Sequence, residues 1–151
     1  MAWDAASPAT SFMNAVDTNV YVYTLDADEP VKQAKALELL DRLMVQRAET
    51  VLVWQVAGEF LGQLRRWQSQ GRLTPAEVEA AFHRARAMFP IRTPTEAIFQ
   101  ISFELRSRFS VSHWDSMLLA ACKEAGVTTL FSEDMDAGTD YDGLTIVNPF
   151  A

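Results

Sequence analysis

Phe12-Met13-Asn14-Ala15-Val16-Asp17-Thr18-Asn19-Val20-Tyr21-Val22-Tyr23 decides how this chain folds. Its first half, Phe12 to Asp17, reads as a short strand that ends on an acid. Asp17-Thr18-Asn19 is a break, and a short helical segment follows through Tyr23. The same alternation continues downstream. Pro30 suits the first turn of a helix, where its missing N–H does no harm. Leu37, Leu40 and Met44, with Ala36, Leu39 and Leu43 beside them, supply that helix's period. Val51-Leu52-Val53-Trp54 reads as a buried strand. Val56, Phe60, Leu64 and Trp67 then form the apolar stripe of the next helix.

Two more helix starts carry the same signature. Thr74-Pro75-Ala76-Glu77 sets a hydroxyl cap, proline at the first helical position and Glu three residues after the cap. Thr93-Pro94-Thr95-Glu96 repeats it. The second of these helices runs through Ile98, Ile101 and Leu105, and both carry Arg on their outer faces. Ser112-His113-Trp114-Asp115 opens a further helix. Its body, Met117 to Cys122, is apolar all round, which predicts burial on most sides. Gly126 ends it. Thr128 to Phe131 and Leu144 to Val147 read as the last strands, with Ser132 to Gly138 as a loop between them. Strands alternating with helices predict an α/β sandwich with a mainly parallel sheet.

A length of 151 residues suits one domain, and 49% hydrophobic with 22% charged residues excludes a disordered or low-complexity chain. The longest apolar run, Met117 to Cys122, falls far short of the roughly 20 residues a membrane span needs. A single cysteine, Cys122, can make neither an internal disulfide nor a zinc site, so a reducing compartment is expected, and an inert core position for the thiol. Residues 1–12 are expected to be a flexible extension before a domain over residues 13–150. Met13 is an alternative start. No signal peptide is visible, which makes the cytoplasm the default location.

The net charge of −7 excludes a diffuse basic surface for nucleic acid. Its distribution is uneven. Residues 60–110 hold eight Arg and four acids, and the remainder holds five basic and sixteen acidic residues. The central stretch is either a set of solvated helix faces or a surface where Arg meets phosphate near a cluster of acids.

Four acids stand out by context. Asp17 and Asp134 each follow an apolar strand. Asp115 lies in the first turn of the buried helix, and Glu59 lies beside the apolar stripe of the third helix. In an open α/β sheet, ligands gather at the carboxyl ends of the strands. A parallel sheet would bring all four acids to that edge. Four converging carboxylates repel unless a cation sits among them, and an all-oxygen set suits Mg²⁺ or Mn²⁺ rather than zinc. Such an ion serves phosphodiester hydrolysis. Each acid also has an ordinary explanation. Asp17 could cap a helix, Asp115 could complete a capping box with Ser112, Asp134 could serve a turn, and Glu59 could be a solvated helix residue. Thr18, Asn19 and Ser132 adjoin the acids and could orient them or bind a metal's water.

These segments resemble a known family. Ala15 to Tyr23 resembles the opening of PIN-domain nucleases, in particular the VapC-type toxins of toxin–antitoxin pairs. Gln55-Val56-Ala57-Gly58-Glu59-Phe60 resembles the segment of the family's second acid. Ser112 to Ala121 resembles that of the third acid, and Leu130-Phe131-Ser132-Glu133-Asp134-Met135 resembles the loop that carries the fourth. The resemblance implies a PIN-like α/β/α sandwich and Mg²⁺- or Mn²⁺-dependent cleavage of RNA. It also implies a homodimer and a cognate antitoxin whose C-terminal segment covers the active site. Asp17 and Asp115 would be the chief metal ligands, with Asp134 completing the set directly or through water. Glu59 would hold a second metal or orient the attacking water. Thr18, Asn19 and Ser132 would support them. Glu133 and Asp136 flank Asp134 and leave open which of the three serves. Arg65, Arg66, Arg72, Arg84, Arg86, Arg92, Arg106 and Arg108 offer a phosphate track.

Two other functions compete. One is phosphoryl transfer of the receiver-domain or haloacid-dehalogenase kind. It needs a lysine beside the acids, and the chain has only Lys32, Lys35 and Lys123. The other is a non-catalytic PIN-like protein that binds RNA or a partner without cutting.

Overall fold

The computed structural model describes residues 12–151. The expected extension over residues 1–12 lies, apart from Phe12, outside the described residues. The chain alternates short strands with helices: β1 Asn14–Val16, α1 Thr18–Tyr23, α2 Pro30–Met44, β2 Thr50–Val53, α3 Trp54–Ser69, α4 Pro75–Met88, β3 Ile91–Arg92, α5 Ala97–Arg108, α6 His113–Glu124, β4 Thr129–Phe131 and β5 Thr145–Val147. A 3₁₀ turn, Arg47–Glu49, leads into β2.

The five strands run parallel in the order β3-β2-β1-β4-β5. β1 therefore lies at the centre, with sequence-adjacent β2 on one side and distant β4 on the other. That reversal of strand order is where an open parallel sheet parts its crossover helices and leaves a crevice at the carboxyl ends. The pairing register fixes what meets there. Val16 lies opposite Phe131, so the next residues, Asp17 and Ser132, emerge side by side.

The core matches the expected pattern in most elements. Val56, Phe60, Leu64 and Trp67 of α3 are buried, and α6 is buried from Ser116 through Cys122. A helix buried on so many sides can be apolar all round because water reaches little of it. Cys122 is free and fully enclosed, and burial raises its thiol well above the ordinary value. Gly126, at φ 79°, provides the left-handed turn after α6 that a side chain would resist.

Several expectations need correction. The buried face of α2 is Ala36, Leu39, Leu40 and Leu43, while Leu37 and Met44 face solvent. Two adjacent apolar rows competed there, and only one turns inward. Trp54 is the first residue of α3, not the end of a strand, and it is 55% exposed. Thr74 forms the full capping box, accepting from Glu77 N at 3.1 Å while its own N–H donates to Glu77 Oε1 at 2.9 Å. Thr93 does not repeat it. α5 starts only at Ala97, and Thr95 instead donates to Glu124 at the far end of α6. β3 is two exposed residues, Ile91 and Arg92, too short to show a period in the sequence.

Candidate active site

Asp17 closes β1 and caps α1. Its Oδ1 accepts from Thr18 N at 2.7 Å and its Oδ2 from Ser132 Oγ at 2.7 Å. Only 7% of the residue is exposed. Burial outweighs both hydrogen bonds and raises its carboxyl above the ordinary value, and the charges of Glu59 and Asp134 add to the rise. The capping role and the strand-end position are thus one fact. The acid needed to start α1 is held where the sheet edge opens.

Ser132 is wholly buried and joins two of the acids. Its hydroxyl donates to Asp17 and accepts from Asp134 N at 3.2 Å. The carboxyl of Asp134 is likewise raised, chiefly by loss of water, then by the charges of Glu133 and Asp115, with Lys32 opposing. Asp115 sits in the first turn of α6, where its N–H donates to Ser112 Oγ at 3.2 Å. The other half of that capping box is absent among the described residues, which leaves the Asp115 carboxylate free of the backbone. Glu59 stands on α3, and its Oε1 accepts from Thr18 Oγ1 at 2.9 Å.

Asp17, Glu59, Asp115 and Asp134 line one cleft of about 580 Å³, together with Thr18 and Asn19. Ser132 lies behind it. The neighbours of Asp134 go elsewhere. Glu133 accepts from Tyr23 OH at 2.7 Å and pairs with Lys32 Nζ at 2.6 Å, and neither Glu133 nor Asp136 lines the cleft. Lys32, the one lysine near the acids, is engaged by Glu133 and by Tyr23 OH at 3.2 Å. Both amide atoms of Asn19 are buried at the cleft wall without a hydrogen-bond partner. A buried amide left so pays a desolvation cost that a ligand could relieve.

The expected arginine track is mostly absent from this site. Of the eight, Arg66 alone lines the cleft. Arg72 stacks on Trp67 at 4.5 Å and lies 3.9 Å from Asp26 and from Asp28, and Arg108 pairs with Asp142. Arg66 Nη1 donates to Gln63 Oε1 at 2.8 Å. Gln55, Gln63 and Trp114 also line the cleft and were not singled out in the sequence. A signal existed. Gln55, Glu59, Gln63 and Arg66 recur at helical spacing on the polar side of α3, opposite its apolar stripe.

Among the described residues, no three acidic, histidine or cysteine side chains already stand close enough together to hold a metal ion. The oxygen-only donors suit a hard cation, which would ease the raised Asp17 carboxyl and could take the buried Asn19 Oδ1 or its water as a partner.

An all-parallel sheet with acids gathered at the carboxyl ends of its central strands defines a class of α/β proteins that work on polar ligands at that edge. The PIN domain family matches residues 15–138, and the chain belongs to that family. No curated protein sequence matches it. Several solved structures share the fold, three of them as follows. A toxin–antitoxin complex from Klebsiella pneumoniae is 16% identical, with a TM-score of 0.63 over 90% of this chain and 97% of that one. VapC20 of Mycobacterium tuberculosis, a sarcin–ricin loop cleaving toxin, is 19% identical with a TM-score of 0.58, over 82% of this chain and 91% of that one. VapBC2 from Rickettsia felis, bound to a DNA fragment from its promoter, is 12% identical with a TM-score of 0.63, over 82% and 89%. Among the described residues no helix is long and apolar enough to cross a membrane.

Proposed function

We propose that this PIN-domain protein is a metal-dependent endoribonuclease and the toxin of a toxin–antitoxin pair. The observation that carries the reading is the meeting of Asp17, Glu59, Asp115 and Asp134 in one cleft. The similar folds of toxin–antitoxin proteins support the biological setting.

Asp17, Asp115 and Asp134 would hold Mg²⁺ or Mn²⁺. When bound, the ion supplies charge to the phosphoryl oxygen and acidity to a water. The chain's own groups do the rest. Ser132 fixes the Asp17 carboxylate in one orientation through its 2.7 Å hydrogen bond. Glu59, steadied by Thr18, accepts the proton of the attacking water. Asn19 offers an amide to a phosphate oxygen or a water. Arg66, held by Gln63, counters the repulsion between an acidic cleft and an anionic substrate. An antitoxin covering this cleft would have to bring basic groups to it. A second copy of the chain is the other expected partner, and the protein should sediment at twice the chain mass at micromolar concentration. A monomeric mass would reject that part.

The test is incubation of the purified protein with total RNA, with Mg²⁺ or Mn²⁺ and with chelator, beside Asp115→Asn. Discrete fragments that need both the metal and Asp115 are expected. Undiminished cleavage by the variant would overturn the mechanism. The lack of a ready-made metal cluster favours one alternative, a PIN-like protein that binds RNA or a partner without cutting. Saturable stabilisation by Mn²⁺ argues against that alternative, and its absence argues for it.

A further inference from the structure

Trp114 has a role that the acids do not explain. It opens α6 one residue before Asp115, lines the cleft, and keeps 63% of its surface exposed. The position is held. Gln55 Nε2 donates to its carbonyl oxygen at 3.4 Å, tying the first turn of α6 to the first turn of α3. His113 meets the indole nearly perpendicular, at 72° and 4.7 Å between centroids. The cleft therefore presents a carboxylate set, one guanidinium and two aromatic rings, of which Tyr23 is engaged by Glu133, Lys32 and Phe150 and Trp114 is left open.

An indole left in water at the wall of a polar cleft finds its best partner in another flat π-system. In an RNA strand that partner is a base free of its own stack, because paired bases in a helix are already covered on both faces. Arg66 is placed on the same cleft for the phosphate that comes with it. We infer that Trp114 is a base-stacking platform that selects unpaired nucleotides next to the scissile phosphate. The inference deepens the nuclease reading and rests on it for the identity of the polymer. A protein partner laying a side chain on the same indole is an outcome of the test rather than a second proposal.

Binding is measured with Ca²⁺ in place of Mg²⁺, using a short end-labelled single-stranded RNA and fluorescence anisotropy. The comparisons are the same strand annealed to its complement, and the same strand with an abasic site at each position in turn. Wild-type protein should prefer the single strand and lose affinity at one abasic position. Trp114→Ala should lose roughly tenfold or more on the single strand and become indifferent to that position, with weak duplex binding unchanged. Trp114→Phe should recover most of the loss. Equal affinity of wild type and Trp114→Ala for the single strand, or equal losses on single strand and duplex, would overturn the platform and leave the exposed indole to a protein partner. Cleavage assayed in parallel with Mg²⁺ separates the two claims. Cleavage indifferent to Trp114 rejects the platform alone. Trp114-dependent binding without cleavage rejects the nuclease reading alone.

Discussion

The carboxylate of Asp17 is placed against its own interest. Burial removes its water, and Glu59 and Asp134 repel it, so its carboxyl titrates above the ordinary value. The folded chain therefore holds that proton more firmly than the unfolded chain does. Stability is fullest below the ordinary carboxylate value and falls as pH rises through the raised one. Asp17→Asn should raise the thermal midpoint at neutral pH by on the order of a few degrees. The gain should fade in acid below about pH 4, where the wild-type group is protonated too. A lower midpoint at neutral pH would contradict this. Ser132 opposes the rise by donating to the charged form. Ser132→Ala should push the Asp17 carboxyl of the metal-free protein further up, so its titration followed by carbon-13 NMR moves to higher pH. An unmoved titration would show that this hydrogen bond does not tune the carboxyl. At this scale the sequence was informative about the acids and silent about their partners. Asp17, Asp115 and Asp134 could be picked out by their places after strands and at a helix start. The division of labour between Asp134, which lines the cleft, and Glu133, which turns to Lys32 and Tyr23, depends on contacts with α1 and α2 that no local pattern encodes.

Among the elements, two identical-looking helix starts behave differently. Thr74 caps α4 with both bonds of the capping box, and Thr93 caps nothing, because the neighbouring Thr95 is drawn to Glu124 and α5 begins later. Thr74→Ala should cost about 1 kcal/mol in urea unfolding, and Thr93→Ala should cost close to nothing. Equal losses would mean that the second cap forms in solution. Helix periodicity was legible wherever one apolar row dominated, as in α3 and α6. It misled in α2, where Leu37 and Met44 lie next to the row that turns inward. It was blind to β3, whose Ile91 and Arg92 earn strand geometry only by lying beside Leu52 and Val53.

For the whole molecule, the parallel sheet and its strand order do what no single element does. They bring residues from α1, α3, α6 and the loop after β4 to one edge. The α/β class could be read from the alternation of strands and helices. The order β3-β2-β1-β4-β5 could not, since it depends on which distant strands pair. The proposed metal binding belongs to this scale, because an ion held by Asp17, Asp115 and Asp134 would tie together the start of α1, α6 and the loop after β4. Mn²⁺ should stabilise the fold in a saturable way, by about 2.7 kcal/mol at a hundred times its dissociation constant. Asp115→Asn should lose most of that gain. A wild-type midpoint indifferent to Mn²⁺ would mean that the carboxylates do not act together.

Asp17 and Ser132 stand 115 residues apart in the chain. They become neighbours only when β4 docks on β1. During synthesis, then, the growing polypeptide exposes its first acid long before the residue that orients it has been added. No ribosome-bound fragment that stops short of Asp134 contains the cleft. On the proposed reading, the ribosome making the chain would meet no assembled cleft until Asp134 has been added. A product terminated upstream of Asp134 would lack one wall of the cleft, and with it the proposed activity.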